Sequence, residues 1–238
     1  MSSGGMSILS ATRYTEATDI KGLIADAGTR RRMSRLIKMG VATGMDCLAK
    51  GGIGRPDAIV CATGYGFLAD SEKLLGQMVS AGEEMMAPTP FMQSTFNSIG
   101  SSIAIMTGSQ GANMTFADGW RSVGAALVFC QMLITSGEAE TVLLVAGDEL
   151  TPTLRTIVDR MGCARHGIAA GEGVAAVLMG REGGIGTIEE ICPTTERWPI
   201  EKSDWAFPTA SAMRLLDAIE RKETTTYETT GAKCRIGF

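Results

Sequence analysis

Histidine, the side chain that most often acts as a general base, is scarce in this sequence. His166 is the only histidine, so any Ser-His or Cys-His mechanism has a single candidate base. The same scarcity argues against a zinc site, and we interpret His166 as a surface or capping residue. No two cysteines form a CxxC pair, and most have apolar neighbours, so we expect buried free thiols. The cysteines are Cys47, Cys61, Cys130, Cys163, Cys192 and Cys234.

A tight turn, Asp118-Gly119, joins a short apolar stretch, Asn113–Ala117, to a long amphipathic one, Trp120–Thr135. A side chain at a strand-to-helix turn of this kind is exposed, and the N-terminus of the helix stabilises a thiolate there. Trp120 stands at that position, and an indole is not a nucleophile. We expect Trp120 to be buried at the junction.

Two other residues near this turn could in principle react. Ser122 is a poor nucleophile because it lies inside the predicted helix and has no evident base. Cys130 is about three helical turns further on, where a packed core thiol is expected. Neither residue therefore supplies a reactive group at this turn.

Alternating strands and helices must position this turn. Apolar runs of strand length alternate with helix-periodic segments up to Met179, which predicts an α/β protein with a mostly parallel sheet covered by helices. The predicted strands are Met6–Ser10, Asp57–Thr63, Asn113–Ala117, Thr141–Ala146, Gly173–Met179 and Ile185–Ile191, with Thr224–Thr230 as an edge strand or turn. The predicted helices are Met33–Ala49, Ser71–Ala81, Phe91–Met106, Trp120–Thr135 and Thr209–Lys222.

Composition narrows the class of protein. The 238 residues suffice for a buried core and fit a single domain over 1–238, with residues 1–5 as a flexible tail. A net charge of −4 argues against nucleic-acid binding. We expect neither membrane insertion nor a signal peptide, and infer a cytoplasmic protein. We expect no cofactor and no metal.

Four segments occur in the order found in β-ketoacyl synthases, a family with the thiolase fold. Phe91–Ile105 resembles the helix ahead of the nucleophile strand, and Gly111–Ala117 resembles the Gly-Pro-Asn strand of the family. Ser136–Glu149 is similar to the Gly-Glu-Ala-Asp strand with its Ala-Gly-Gly turn. Gly167–Met179 is similar to the Gly-Glu-Gly-Ala-Gly turn and strand. The resemblance implies the first half of a synthase, followed by a strongly truncated second half.

The resemblance also implies what has been lost. The active cysteine of the family falls at Trp120, which we interpret as a plug in the space of the thioester, beside the plain alternative of a large core aromatic. Phe207–Ile219 resembles the start of a helix that carries a catalytic histidine, and Pro208 stands in its place. His166 is not at a catalytic position. No catalytic residue is therefore assigned.

The resemblance together with these absences implies a non-catalytic subunit, similar to the chain-length factors, in fatty-acid/polyketide or aryl polyene-type pigment biosynthesis. The expected partner is an active ketosynthase, with an acyl carrier protein reached through the complex, or else a second copy of the chain. Four residues would line the acyl tunnel or the interface: Asp118 and Trp120 at the turn, and Met114 and Phe116 on the strand before it. For Met114 and Phe116, packing in the core is the alternative. A malonyl-thioester decarboxylase without a cysteine mechanism and a homodimeric carrier-protein or acyl-chain scaffold stay open.

Three further motifs are interpreted as structural rather than functional. Glu172 is expected to cap backbone groups rather than to act as an acid or base. Gly64 and Gly66 follow a strand but lack the third glycine of a dinucleotide site. Arg30–Arg32 and Arg35 are interpreted as a solvated helix start, with a patch for an acidic carrier protein as the alternative.

Overall fold

The computed structural model describes residues 5–81, 88–166, 170–189, 191–194 and 207–238. The predicted tail over 1–5 therefore lies outside the described residues except for Gly5. Trp198 and Trp205 lie outside them as well. The side chains of Ala81 and His166 are not described, so the expected surface role of His166 stays a prediction.

Nine helices and nine strands alternate through most of the described residues. The strands are β1 (Met6–Arg13), β2 (Ala58–Ala62), β3 (Asn113–Phe116), β4 (Thr141–Asp148), β5 (Gly173–Gly180), β6 (Gly186–Ile188), β7 (Cys192–Pro193), β8 (Thr225–Thr229) and β9 (Ala232–Gly237). The helices are α1 (Ile20–Leu23), α2 (Ala27–Arg32), α3 (Arg35–Lys50), α4 (Leu68–Ala81), α5 (Pro88–Gln93), α6 (Ser98–Thr107), α7 (Ser122–Ser136), α8 (Pro152–Arg160) and α9 (Ala210–Arg221).

All nine strands belong to one sheet, in the order β3-β2-β4-β5-β1-β6-β9-β7, with β8 paired to β9. Only β2 with β3 and β2 with β4 pair in parallel, and the other pairs are antiparallel. The expected mostly parallel sheet is therefore wrong. An apolar run buries both faces of a strand in either direction, so composition could not reveal that β5 runs opposite to both its neighbours.

The sheet separates two apolar cores. Alternate residues of β2 and β4 point to opposite faces, so Val60 and Leu144 pack with α7 and α9, while Ile59 and Val145 pack with α3 and α6. The layered α/β arrangement predicted from the sequence is confirmed. Within the described residues, no helix combines the length and apolarity needed to cross a bilayer.

The predicted helix Phe91–Met106 is two helices, α5 and α6. Around the break, the hydroxyls of Thr95 and Ser98 donate to the carbonyl oxygens of Met92 and Thr95, each over 2.8 Å. Hydroxyls that bond locally to the backbone compete with helical hydrogen bonds, which explains the interruption. The sequence did not predict the short helices α1 and α2, helix α8, or strands β7 and β9.

Glycine at position 124 sets how closely α7 approaches the β8–β9 hairpin. A Cβ atom there would lie 2.6 Å from the carbonyl oxygen of Thr230 and 3.1 Å from the amide nitrogen of Ala232. Both are backbone atoms, so a side chain cannot be accommodated by a rotamer change. The hairpin would have to move.

Replacing Gly124 with Ala should therefore lower the free energy of unfolding by about 1–3 kcal/mol through overpacking. Gly76→Ala is the matched control, because a Cβ at that helical position meets nothing within 4 Å. The control should gain about 0.5–1 kcal/mol from helix propensity. Urea denaturation gives the change in the free energy of unfolding for each variant. Equal changes in the two variants would contradict the close packing of α7 on the hairpin.

Candidate functional site

The predicted site lies at one edge of the sheet. Because β2, β3 and β4 are parallel, their carboxyl ends meet there. Thr63 follows β2, the Asp118–Trp120 turn follows β3, and Asp148 ends β4. The start of α9 reaches the same edge through Thr209.

Asp148 is the buried hub of this edge, with no exposed surface. One carboxylate oxygen accepts from the hydroxyl of Thr63 at 2.8 Å, the amide of Gly64 at 2.8 Å and the amide of Tyr65 at 3.0 Å. The other accepts from the amide of Thr209 at 3.1 Å and its hydroxyl at 2.9 Å. The carboxylate therefore joins β2, β4 and α9.

The electrostatics of Asp148 combine two opposed effects. Burial raises the pKa of this carboxyl, and the hydrogen bonds donated by Tyr65, Thr63, Gly64 and Thr209 oppose that rise. A buried carboxylate is tolerated only when its lone pairs are satisfied, and here donors surround both oxygens. The network also explains the glycine-containing segment after β2: its amides bind this carboxylate, not a dinucleotide.

Trp120 lies in a single 3₁₀ turn, Gly119–Arg121, between β3 and α7. The structure thus places it at the predicted strand–turn–helix junction, but its side chain is half-buried rather than buried. The 3₁₀ turn precedes the first residue of α7, so the predicted start of that helix at Trp120 is two residues early. An indole at this point is partly accessible on the surface of a single chain.

Ser122 fixes the shape of this turn. Its hydroxyl accepts the amide of Asp118 at 2.8 Å and lies 2.8 Å from the carbonyl oxygens of Thr63 and Gly119, toward which it donates. The residue has no exposed surface. Because its hydroxyl is buried and committed to backbone groups, Ser122 holds the turn against the end of β2 and is not available as a nucleophile.

Pro208 also meets this turn. A Cβ built on Gly64 would lie 2.1 Å from Cβ of Pro208 and 3.3 Å from the carbonyl oxygen of Gly119. The glycine thus lets the proline ring pack against the backbone of Gly64, and the carbonyl oxygen of Gly119 is close to the same point. The position at which the resemblance implies a catalytic histidine is therefore close to the turn that carries Trp120, and a proline ring without acid–base chemistry occupies it.

The remaining predicted site residues lie on β3 and its turn. Met114 is 46% exposed, which excludes the alternative that it packs in the core. The ring of Phe116 is half-buried and contacts that of Phe129, with centroids 5.5 Å apart. Asp118 is exposed and pairs with Arg121 at 3.5 Å. All of them lie at the edge of the sheet, because β2 is the one strand of the described residues that pairs with β3.

Neighbouring acidic residues serve the same edge as caps. Glu172 accepts the amide of Leu150 at 3.0 Å and forms an ion pair with Arg35. Its predicted role as a backbone cap is confirmed, and Arg35 is exposed but paired rather than simply solvated. Glu149 accepts the amide of Ala69 at 3.0 Å at the start of α4, and burial raises the pKa of its carboxyl.

The thiols offer no activated nucleophile at the turn. Burial raises the pKa of Cys61 to about 12 and raises that of Cys130 as well, so both stay protonated at neutral pH. Four of the six cysteines are buried as expected, but Cys163 is only partly buried and Cys192 is exposed. Among the described residues, no group of three His, Cys, Asp or Glu side chains is arranged to hold a metal ion.

The strand–turn–helix junction, the layered sheet and its mixed strand order define a thiolase-like fold. The family model for the N-terminal domain of β-ketoacyl synthases matches residues 13–183, more than two thirds of the sequence. The chain belongs to the β-ketoacyl synthase family. None of the curated proteins matches the sequence.

Solved structures give the same fold. A chain of the complex between the ketosynthase ApeO and its chain length factor ApeC from Xenorhabdus doucetiae is 16% identical, with a TM-score of 0.69; the match covers 98% of this chain and 99% of that one. A second match is a chain of the AntDE:AntF complex, a type II polyketide synthase acyl-carrier protein with its ketosynthase bound to the hexaketide. It is 11% identical with a TM-score of 0.75, and the match covers 98% of this chain and 98% of that one. A chain of the ishigamide ketosynthase/chain length factor is 20% identical with a TM-score of 0.61, and the match covers 87% of this chain and 60% of that one.

Replacing Asp148 with Asn tests the hub. The amide puts an N–H group where the carboxylate accepts N–H donors, so at least one buried donor loses its partner. We expect the free energy of unfolding to fall by about 1–3 kcal/mol. Asp159→Asn is the control, since Asp159 is exposed on α8. A variant at position 148 as stable as the control would show that the hydrogen bonds contribute nothing net.

Alkylation of the folded protein tests the thiol assignments. We expect iodoacetamide at neutral pH to modify Cys192 first and to leave Cys61 and Cys130 unmodified, because a buried thiol with a raised pKa forms little thiolate. Peptide mass spectrometry gives the site and extent. Unfolding in urea is the control, in which all six thiols should react; rapid labelling of Cys130 in the native protein would contradict its burial.

Proposed function

We propose that this chain is a non-catalytic β-ketoacyl synthase-like subunit that pairs with an active ketosynthase and shapes its acyl tunnel. The observation that carries the proposal is the composition of the nucleophile turn. Trp120 occupies it, Pro208 packs beside it, and the hydroxyl of Ser122 is buried and hydrogen-bonded to backbone groups. The strand–turn–helix junction of a condensing enzyme is present, but the turn carries no side chain that could form a thioester.

A partner is supported by the edge of the sheet. No strand of the described part of the chain pairs with the outer side of β3, and Met114 on β3 is exposed. Helix α6 packs on β3 and exposes 82% of Ile105, and the preceding segment exposes Phe91 and Phe96. An apolar, unpaired edge of this size is typical of a buried interface, because it is a liability in water. Pairing with the corresponding strand of a related subunit would continue the sheet.

The partner proposed is a ketosynthase that carries the chemistry, and the interface should bury more than about 2,000 Å² in total. The solved structures with the same fold include ketosynthase/chain length factor complexes and one with an acyl-carrier protein, which supports this choice. We further propose that an acyl carrier protein delivers substrate to the complex. Polyketide or aryl polyene-type pigment synthesis in the cytoplasm is the proposed setting.

Co-expression with a ketosynthase of the same biosynthetic cluster, followed by size-exclusion chromatography, tests the pairing. We expect a heterodimer, and a radiolabelled acyl thioester should label the ketosynthase cysteine and no residue of this chain. A stable monomer at micromolar concentration would contradict the proposal. Self-association without the ketosynthase would favour a homodimeric scaffold, and acylation or malonyl-thioester decarboxylation by the isolated chain would favour a stand-alone enzyme.

Met114→Asp should abolish the heterodimer, because the substitution places a charge on the unpaired strand edge. Ile185→Asp is the matched control: Ile185 is similarly exposed but lies between β5 and β6, at a distance along the sheet from β3. We expect the control to co-purify normally. Co-purification of both variants in equal yield would exclude β3 as the interface.

In the intact heterodimer, Phe116→Ala should lengthen the product, since loss of the ring that packs on Phe129 enlarges the space at the interface. Mass spectrometry of the extracted product gives the chain length. An unchanged product distribution at normal yield would remove Phe116 from the tunnel.

A further inference from the structure

The outer side of strand β1 is paired over only part of its length. It pairs with β6 from Met6 to Ile8, and the carbonyl oxygen of Ile8 accepts the amide of Ile185 at 2.7 Å. Beyond Ile8, no strand of the described residues pairs with that side, whereas β5 follows the inner side of β1 as far as Arg13. The last residues of β1 therefore present a free strand edge.

The hydrogen-bond register shows which main-chain groups point away from β5. The amide of Tyr14 donates to the carbonyl oxygen of Val174 at 2.9 Å, so these two residues form a hydrogen-bonded pair of the antiparallel ladder. Such pairs alternate along the ladder, so the main-chain groups of Thr12 point to β5 and those of Ala11 and Arg13 point outward. These four outward N–H and C=O groups have no hydrogen-bond partner among the described residues.

A cavity of about 560 Å³ opens on this edge. It is lined by residues 11–13 of β1, by residues of the 15–23 segment that includes α1, by Asp46 and Lys50 of α3, and by Glu220 of α9. The volume is typical of a ligand site, but charged and hydroxyl side chains rather than apolar ones make up most of the lining. A polar ligand that satisfies the main chain of β1 fits this cavity better than an apolar small molecule.

The cavity has an excess of negative charge. Arg13 pairs with two carboxylates of α9, Asp217 at 2.7 Å and Glu220 at 2.9 Å, so one of these two charges is not neutralised. The other cation of the lining, on α3, is matched by one carboxylate. Asp19 also lines the cavity, and no cation of the described residues lies within 4 Å of its carboxylate. Charge complementarity therefore favours a basic ligand.

We infer that the β1 edge binds an extended, basic peptide segment of a partner protein, which adds as a strand beside Ala11–Arg13. The main chain of the segment pairs with the four outward groups, and its Lys or Arg side chains pair with Glu220 and Asp19. The segment is extended because a helix satisfies its own main-chain groups and offers none to a strand edge. This edge is separated from β3 by three strands, so the inference does not depend on the proposed function.

Fluorescence anisotropy with a labelled, terminally blocked hexapeptide of alternating lysine and valine tests the inference on the full chain. We expect saturable binding that weakens with salt. A glutamate–valine hexapeptide should bind at least tenfold more weakly because its charge is reversed. A lysine–valine hexapeptide that is N-methylated throughout keeps its charge but has no main-chain donors, and it should also bind at least tenfold more weakly. Equal binding of the methylated and unmethylated peptides would overturn the inference, as would no saturable binding.

Hydrogen exchange of single amides, followed by NMR, locates the contact. The amides of Ala11 and Arg13 should exchange quickly in the free protein and at least tenfold more slowly with saturating lysine–valine peptide. The amide of Thr12, bonded to β5, should exchange slowly in both states. Exchange at Ala11 and Arg13 that the peptide leaves unchanged would overturn the inference. Slow exchange there in the free protein would also overturn it, because another segment or a second copy would then already cover the edge.

Two substitutions separate main-chain pairing from charge. Ala11→Pro removes an outward N–H without breaking the ladder to β5 and should weaken peptide binding at least fivefold. Glu220→Gln should weaken it severalfold, and Glu182→Gln, an exposed glutamate after β5, is the matched control with less than a twofold change. Equal affinities for the Glu220 and Glu182 variants would contradict the inference. If the proline variant fails to fold, this comparison and the amide exchange still decide.

Discussion

The fully buried carboxylate of Asp148 is the interaction on which the site edge depends. A charge without water is tolerated only if donors replace its hydration, and five donors from two other chain segments do so here. They bring the end of β2, the end of β4 and the first residues of α9 to one point. Without that point, Pro208 would not reach the turn that carries Trp120, since Thr209 directly follows it.

The turn itself is held by contacts that do not involve the side chain at position 120. The hydroxyl of Ser122 ties the 3₁₀ turn to the carbonyl oxygen of Thr63 at the end of β2, and Gly64 leaves room for the ring of Pro208. Because these side chains contact backbone atoms, the strand–turn–helix geometry does not depend on whether the residue at position 120 is reactive. Half-exposure of the ring in a single chain is compatible with burial by a partner across β3.

The β3 edge has the physical character of a permanent interface. Within the described residues its outer side has no strand partner, and Met114 and Ile105 are exposed beside it. Unpaired backbone beside exposed apolar side chains suits a subunit that excludes water.

The sequence by itself determined the layered α/β class, the position of Trp120 between β3 and α7, and the capping role of Glu172, because each follows from local periodicity or from side-chain chemistry. The direction of the strands was decided only by the tertiary structure, since the apolar run of β5 has the same composition whether the strand is parallel or antiparallel to its neighbours. So did the break between α5 and α6, which local hydroxyl bonds decide. Asp148 was missed because nothing in its own segment reveals donors that are 61 or more residues away in the chain. Contacts between distant segments decide which polar side chains are buried and which apolar ones stay exposed, and those contacts exist only once the chain is folded.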